Sequence, residues 1–421
     1  MSEALVEQSV AVEEPHVLIA SIPRISIQAF CETAEVAQLI EQATADRRMS
    51  KAHVKTHMGG VIAAIEAFRS APTPNLIVIE STSHRDELIA NLDALAESCD
   101  SGTKVVVIGH ENDIALYRVL LARGVSDYIV APFEILQLIQ HLSQLYGTSG
   151  GPALGRVIAV VGAKGGVGAS VLSHNLAWSI SRTLDTQTVI ADLDLAFGTA
   201  GLDFNQDPPQ GIAEAVFSPE RVDTNLVDRL LSKCSETLNL LSAPATMDRL
   251  YDLPEFAFEP VLDVLRATTP CAVLDVPHQW GAWTRHVLMS ADELVIVANP
   301  DLANLRNART ILDIMRAARP NDRAPKLVLN KVGLPRRPEI AIAEFVKAIE
   351  MEPVATIPFD AKLFGTAANN GQMIAELEPG SKIVESFDNL ARRVLGRAEL
   401  RKAKKSLLGP LMERVGRKKA G

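Results

Sequence analysis

The stretch VIAVVG at 157–162, running into AKGGVGAS at 163–170 and then VLSHNLAWSISRTL at 171–184, sets the reading of the whole chain. An apolar run, a glycine-rich turn and a helix-patterned stretch follow one another, which is the strand, loop and helix order that cradles phosphate. Gly165, Gly166 and Gly168 let backbone N–H groups approach phosphate oxygens with no side chain in the way, and the helix that follows adds the partial positive charge of its N-terminus. Ser170 is placed to offer its hydroxyl to a magnesium ion. Against the pattern G-x-x-x-x-G-K-[ST], Ala163 replaces the first glycine and Ala169 replaces the lysine. Taken alone, such a turn is equally a tight strand-to-helix connection, so the rest of the chain has to decide.

The next apolar run ends in ADLD at 191–194, which puts Asp192 and Asp194 at the carboxyl edge of a sheet, where α/β folds gather their ligands. Acids there orient a magnesium-bound or attacking water. Further on, CAVLD ends in Asp275, an acid at the tip of a buried strand. Any one of these aspartates is as readily the cap of a turn. Three in this order behind a glycine loop favour a nucleotide site.

Outward from that site, apolar runs alternate with helix-like segments. Upstream they are VLIA (17–20), NLIVIES (75–81), KVVVIG (104–109) and DYIVAPF (127–133). Downstream they are RVIAVVG, QTVIADLD, TLNLLSA, CAVLDVP, ELVIVANP and KLVLNKV. Buried strands alternating with helices predict parallel α/β sheets, one on each side of GTSGGPALG at 147–155, which reads as a linker. The expected order is a disordered segment over 1–15, a first domain over 16–146, the linker, a nucleotide-binding domain over 156–396 and a basic tail over 397–421.

With 421 residues, 47% hydrophobic and 22% charged, the chain suits two or three globular domains and is not disordered as a whole. Forty-two Lys and Arg against 51 Asp and Glu give a net charge of −9, which argues against a surface built to coat DNA. Cys31, Cys99, Cys234 and Cys271 lie far apart with no Cys-x-x-Cys pair, so neither a disulfide framework nor a zinc site is indicated. The opening MSEALVEQSVAVEEP carries acids where a signal peptide needs a basic start, so a cytoplasmic location is expected. No run reaches the roughly 18–20 apolar residues of a membrane span, and any membrane contact would be peripheral. In PHQWGAWTRH, His278, Trp280, Trp283 and His286 show no metal-ligand spacing, and are expected in a loop and helix start with the tryptophans packed. In the tail, Arg397, Arg401, Lys402, Lys404, Lys405, Arg414, Arg417, Lys418 and Lys419 face only Glu399 and Glu413. Leucines at helical spacing, broken by Gly409-Pro410, leave a solvated tail, an anionic membrane and an acidic partner open as its role.

Lys164-Gly165-Gly166-Val167-Gly168 resembles the deviant Walker A of the ParA/MinD superfamily. The similarity continues through ADLDLAFGTAGLDF (191–204), VLDVP (273–277), ELVIVANPDLANLRNARTILDIM (293–315), VLNKVG (328–333) and IPFDAKLFGTAANNG (357–371). The resemblance implies ATP and magnesium as cofactors and an ATP-sandwich homodimer in which Lys164 crosses to the partner's nucleotide. It implies phosphate contacts from Lys164, Gly165, Gly166, Val167, Gly168, Ala169 and Ser170, with magnesium on Ser170 and Asp275. Asn330 and the loop from Pro358 to Asp360 match its adenine contacts; Asp192 and Asp194 match its switch I acids, the Asp194 position being tied to hydrolysis.

Residues 16–146 resemble a flavodoxin-like response-regulator receiver with its chemistry dismantled. Glu80 stands where the phosphoacceptor aspartate should be, Ala131 replaces the lysine, and the expected first strand HVLIASIP lacks the paired acids that hold magnesium. Glu80 is expected as a solvated strand-end residue, with mimicry of a phosphorylated state as the alternative, and the domain as an interaction module. A receiver-like domain ahead of a loop without its second lysine resembles the CpaE/TadZ family of Flp/Tad pilus-assembly proteins. That resemblance implies pilus-assembly or polar-landmark partners and a place at the cell pole, peripheral to the inner membrane. Loss of the ammonium at Ala169 implies weak or absent hydrolysis. Two alternatives stand beside this reading: a non-hydrolysing polar scaffold, and a DNA-binding partitioning ATPase, which the acidic balance disfavours.

Overall fold

Two parallel sheets built from these apolar runs carry the chain in the computed structural model, which describes residues 19–100, 102–146, 154–245 and 250–396. The segment 1–15, the tail 397–421 and the linker as far as residue 153 lie outside the described residues. The first sheet contains β1 (Ser26–Cys31), β2 (His53–Met58), β3 (Leu76–Ser81), β4 (Lys104–Gly109) and β5 (Asp127–Val130) in the order β2-β1-β3-β4-β5, all parallel. This is the flavodoxin-like, receiver-like order. β3 is buried at all six positions, as a central strand covered by helices on both faces must be.

The first strand differs from the sequence expectation. Ile19 and Ala20 are not in a strand, although Ile22 is fully buried in the core, and the strand itself is SIQAFC. Glu32 therefore follows β1 directly and bonds the Thr82 N–H at 2.7 Å. Glu80 also differs: it is fully buried, not solvated. Its Oε2 accepts the N–H groups of Glu32 (2.8 Å) and Thr33 (2.9 Å), and its Oε1 accepts the Thr33 hydroxyl (2.7 Å) and pairs with His110 Nε2 (3.1 Å). The extra methylene of glutamate carries the carboxylate across to the β1 loop, where it fastens three segments.

The second sheet contains β6 (Arg156–Gly162), β7 (Thr188–Asp192), β8 (Ser232–Lys233), β9 (Leu238–Leu241), β10 (Cys271–Val276), β11 (Glu293–Ala298), β12 (Lys326–Val332) and β13 (Ala355–Pro358). Their order is β13-β12-β11-β6-β10-β7-β9-β8, parallel except for the short β8 against β9. β10 lies between β6 and β7, with Asp275 level with Val160 on one side and Asp192 on the other. This register sets both acids beside the loop that leaves β6. No helix among the described residues is long and apolar enough to cross a membrane.

A buried ionic network joins the two sheets' domains. Arg47 bonds Asp322 (2.7 Å) and the Ser290 carbonyl (3.0 Å), Arg48 bonds Asp46 (2.9 Å) and also Asp322, and Arg319 closes on Asp322 at 2.7 Å. Lys51 adds Glu259 (2.9 Å) and Asp263 (2.8 Å) at the rim. Burial works to raise the Asp322 pKa, but Arg47, Arg319 and Arg48 outweigh it and pull the carboxyl down from 3.8 to about 2. A folded-state pKa below the unfolded one stabilises above the unfolded value, so this contribution is complete above 3.8 and is lost as pH falls through about 2. Asp322→Ala leaves three arginines short of a buried partner and is expected to cost about 3 kcal/mol, read as a lower urea midpoint at pH 7. An unchanged midpoint would show that the network adds no stability. A second expectation concerns Glu80, whose oxygens are both occupied: acetyl phosphate should leave the intact mass of the protein unchanged, and a stable phosphoryl adduct on this domain would contradict the assignment.

Candidate nucleotide-binding site

The loop after β6 is shaped by what holds its carbonyls. His278 Nδ1 donates to Gly162 O (2.9 Å), Asn307 Nδ2 to Ala163 O (2.8 Å), Lys331 Nζ to Gly166 O (2.7 Å) and Asn330 Nδ2 to Val167 O (2.9 Å). Across a planar trans peptide, the C=O of one residue and the N–H of the next point opposite ways. Turning the carbonyls of Ala163, Gly166 and Val167 inward therefore turns the N–H groups of Lys164, Val167 and Gly168 outward. None of the N–H groups from Lys164 to Val171 has an acceptor among the described residues, while the N–H of Ala163 is bonded to Val297 O at 2.8 Å. Glycines make the turn affordable to the backbone. Gly166 and Gly168 sit at φ +78° and +87°, and a Cβ on Gly168 would meet Asn330 Nδ2 at 2.7 Å.

The helix Ala169–Thr183 starts at that loop and directs its dipole at it. Ser170 is half-buried, and its hydroxyl has no partner among the described residues. Ala169 packs against the core and brings no charge. Lys164 is exposed and makes no salt bridge among the described residues; burial works to raise the Asp301 pKa, but the Asn304 hydrogen bonds, then Arg337 and lastly Lys164 hold that carboxyl low. Val167 is buried and takes part only through its backbone. The outward N–H groups of Lys164, Val167 and Gly168, an open glycine surface and a free hydroxyl fit a polyphosphate with its magnesium.

The acids divide. Asp192 is fully buried, its Oδ1 accepting the Asp194 N–H (3.1 Å) and its Oδ2 the Ala200 N–H (3.1 Å). It shapes the segment between them and has no contact with solvent. Burial first, and the Asp275 charge second, raise its pKa to about 7 against the pull of His174 and those two backbone donors. Asp194 is half-exposed and accepts the Phe197 N–H at 3.0 Å. Pro358 is exposed at the end of β13, and Asp360 caps the next helix through Leu363 N (2.9 Å), so the loop they bound opens beside Asn330 and Lys331 on the neighbouring strand.

Sequence reasoning did not single out Asn307, Lys331 or His174. Asn330 and Lys331 are consecutive and would point to opposite faces of a regular strand. A register shift between Leu329 and Val332, with Lys331 at φ +53°, turns both toward the loop. Burial, and then Arg337, lower the Lys331 pKa. His174 lies four residues after Ser170, one turn along the same helix face, which is the only sequence signal it had. It is fully buried, with Nδ1 2.7 Å from Asp203 Oδ2 and Nε2 3.6 Å from Asp275 Oδ2. Burial opposes a charge on the ring, yet the hydrogen bond to Asp203 and the nearby carboxylate of Asp275 outweigh that and bring its pKa to about 10. Of the aromatic pair nearby, Trp283 is packed at 5% exposure, but Trp280 is 52% exposed, unlike the expectation for both.

This fold and this loop define the class: a P-loop ATPase of the ParA/MinD superfamily. Residues 155–324 match the family model described as an AAA domain. A septum site-determining protein MinD of Synechocystis is 25% identical over 251 residues, 58% of this chain and 90% of its own. The MinD structure of Pyrococcus horikoshii, solved with Mg-ADP, has the same fold at 18% identity and a TM-score of 0.51, over 57% of this chain and 96% of that one. A pilus assembly protein CpaE from Caulobacter crescentus is 49% identical over 98% of its structure, which covers 31% of this chain in its N-terminal part with a TM-score of 0.30. The chain belongs to the CpaE family of pilus assembly proteins.

The inward carbonyls yield one expectation. Lys331→Ala removes the donor to Gly166 O, a charged hydrogen bond worth about 1.5 kcal/mol, so calorimetry should find Mg-ATP binding weakened by about tenfold with the thermal midpoint nearly unchanged. Equal affinity in the two proteins would mean that Lys331 does not shape the loop.

Proposed function

We propose that this chain is an ATP-binding switch that dimerises on nucleotide and organises assembly of a Flp/Tad-type pilus, hydrolysing ATP slowly. The observation that carries this reading is the loop: outward N–H groups, a helix N-terminus and a free Ser170 hydroxyl make an anion cradle, while position 169 supplies no ammonium. Ser170 and Asp275 would hold magnesium, which neutralises phosphate charge when bound. Lys164 is exposed and makes no salt bridge in its own chain among the described residues, which supports its delivery to the nucleotide of a second copy. A receiver-like domain without an acceptor aspartate supports a docking role toward pilus-assembly or polar partners, and kinship with CpaE supports the pilus setting.

Binding, dimerisation and turnover separate under mutation. The unmodified protein should bind Mg-ATP with about micromolar affinity. Lys164→Ala should abolish ATP-dependent dimerisation, read by light scattering after size exclusion, while changing monomer affinity by less than about threefold. Ala169→Lys restores the missing cation and should raise turnover by about a hundredfold, since one such transition-state contact is worth several kcal/mol. The switch reading fails if calorimetry detects no ATP binding. Rapid turnover by the unmodified protein would instead refute the role given to Ala169.

A further inference from the structure

Beneath the loop, the buried carboxylates of Asp192 and Asp275 and the imidazole of His174 lie close together, with Asp203 behind the ring. A ring nitrogen of His174, a carboxylate oxygen of Asp192 and one of Asp275 lie within 4.8 Å of one another, and all three residues are buried. His174 is at 0% exposure, and its Nε2 has no hydrogen-bond partner, the Asp275 oxygen standing 3.6 Å away. Its other nitrogen is held by Asp203 at 2.7 Å. A carboxylate fixing Nδ1 while Nε2 faces acids is the orienting arrangement of metal-bound histidines. The spacing suits an ion as well. Two donors each about 2.1 Å from one metal, at angles between octahedral and tetrahedral, stand roughly 3.0–3.5 Å apart, so these donors, 3.6 Å apart for His174 and Asp275 and within 4.8 Å as a set, need to draw in by up to roughly an ångström to close on an ion. No lysine or arginine makes a salt bridge to Asp192, Asp203 or Asp275 among the described residues, so the formal charge of these three acids is offset at most by one imidazolium.

We propose that His174, Asp192 and Asp275 form a divalent metal site selective for imidazole-accepting ions such as Mn2+, Co2+ or Zn2+, filled by the protein's own side chains without nucleotide. An oxygen-only site favours Mg2+; an imidazole ligand shifts preference toward these transition ions. Ligation replaces a proton at Nε2, so the ion takes the place of the ring's own charge. Asp203, on the short helix Ala200–Asp203, is a positioning residue, and through it the filled site steadies the segment that also carries Asp194.

The test uses the full chain without nucleotide, so its failure leaves the switch reading standing. Titration with Mn2+, followed by loss of the free-ion electron paramagnetic resonance signal, should show one equivalent bound, and Co2+ should give visible absorption of a nitrogen-ligated ion; a hundredfold excess of Mg2+ should not displace either. His174→Gln should weaken Mn2+ binding by at least tenfold, and Asp203→Asn by a smaller factor, in the same nucleotide-free titration. Should either variant unfold, Mn2+-soaked crystals of the unmodified protein decide: an anomalous peak beside His174 Nε2 supports the site. No bound Mn2+, an unaltered affinity in His174→Gln, or no anomalous peak there overturns it in favour of an imidazolium that only neutralises Asp275.

Discussion

The orientation of a few peptide planes between Gly162 and Gly168 governs everything at the carboxyl edge of the larger sheet. Left alone, a glycine-rich turn has no reason to aim its N–H groups anywhere. Here side chains from three other segments seize its carbonyls: His278 after β10, Asn307 on the helix after β11, and Asn330 with Lys331 on β12. The anion cradle is thus a tertiary product. It exists because β6 lies between β10 and β11, with β12 next along the sheet.

Both domains show the same exchange of chemistry for fastening. At the end of β3, a glutamate one methylene longer than the acceptor it replaces reaches the β1 loop and ties Thr33 and His110 to itself, which favours a fixed surface over a phosphate-driven one. At position 169, a small apolar side chain packs into the core where the P-loop pattern has an ammonium. Lys331 does not stand in for that ammonium, because its Nζ already donates to Gly166 O, but it preserves the loop shape on which backbone recognition depends.

Charge is buried in two places, and each is satisfied differently. At the domain junction, arginines outweigh the burial of Asp322 and hold it ionised, joining the first domain to the segments before β11 and β12. Beneath the nucleotide loop the balance is less complete, with Asp192 raised to about 7 and an imidazole nitrogen lacking a hydrogen-bond partner. A buried polar group without a partner calls for a physical explanation, and a bound ion is one that would supply it.

The sequence by itself determined the architecture of alternating strands and helices, the two sheets, the glycine loop with Ser170, and the acids at the strand tips, because apolar runs and glycine turns are local patterns that survive in one dimension. It misplaced β1, since VLIA is more apolar than SIQAFC, and it passed over β2, since an edge strand reading HVKTHM exposes most of its side chains and needs no apolar run. Only the tertiary structure decided that Glu80 and Asp192 are buried, that Lys331 holds the glycine loop, and that His174 is enclosed between Asp203 and Asp275. Burial and side-chain direction depend on which strands lie side by side and on a bulge that turns two consecutive residues the same way, and neither property is carried by any short stretch of chain.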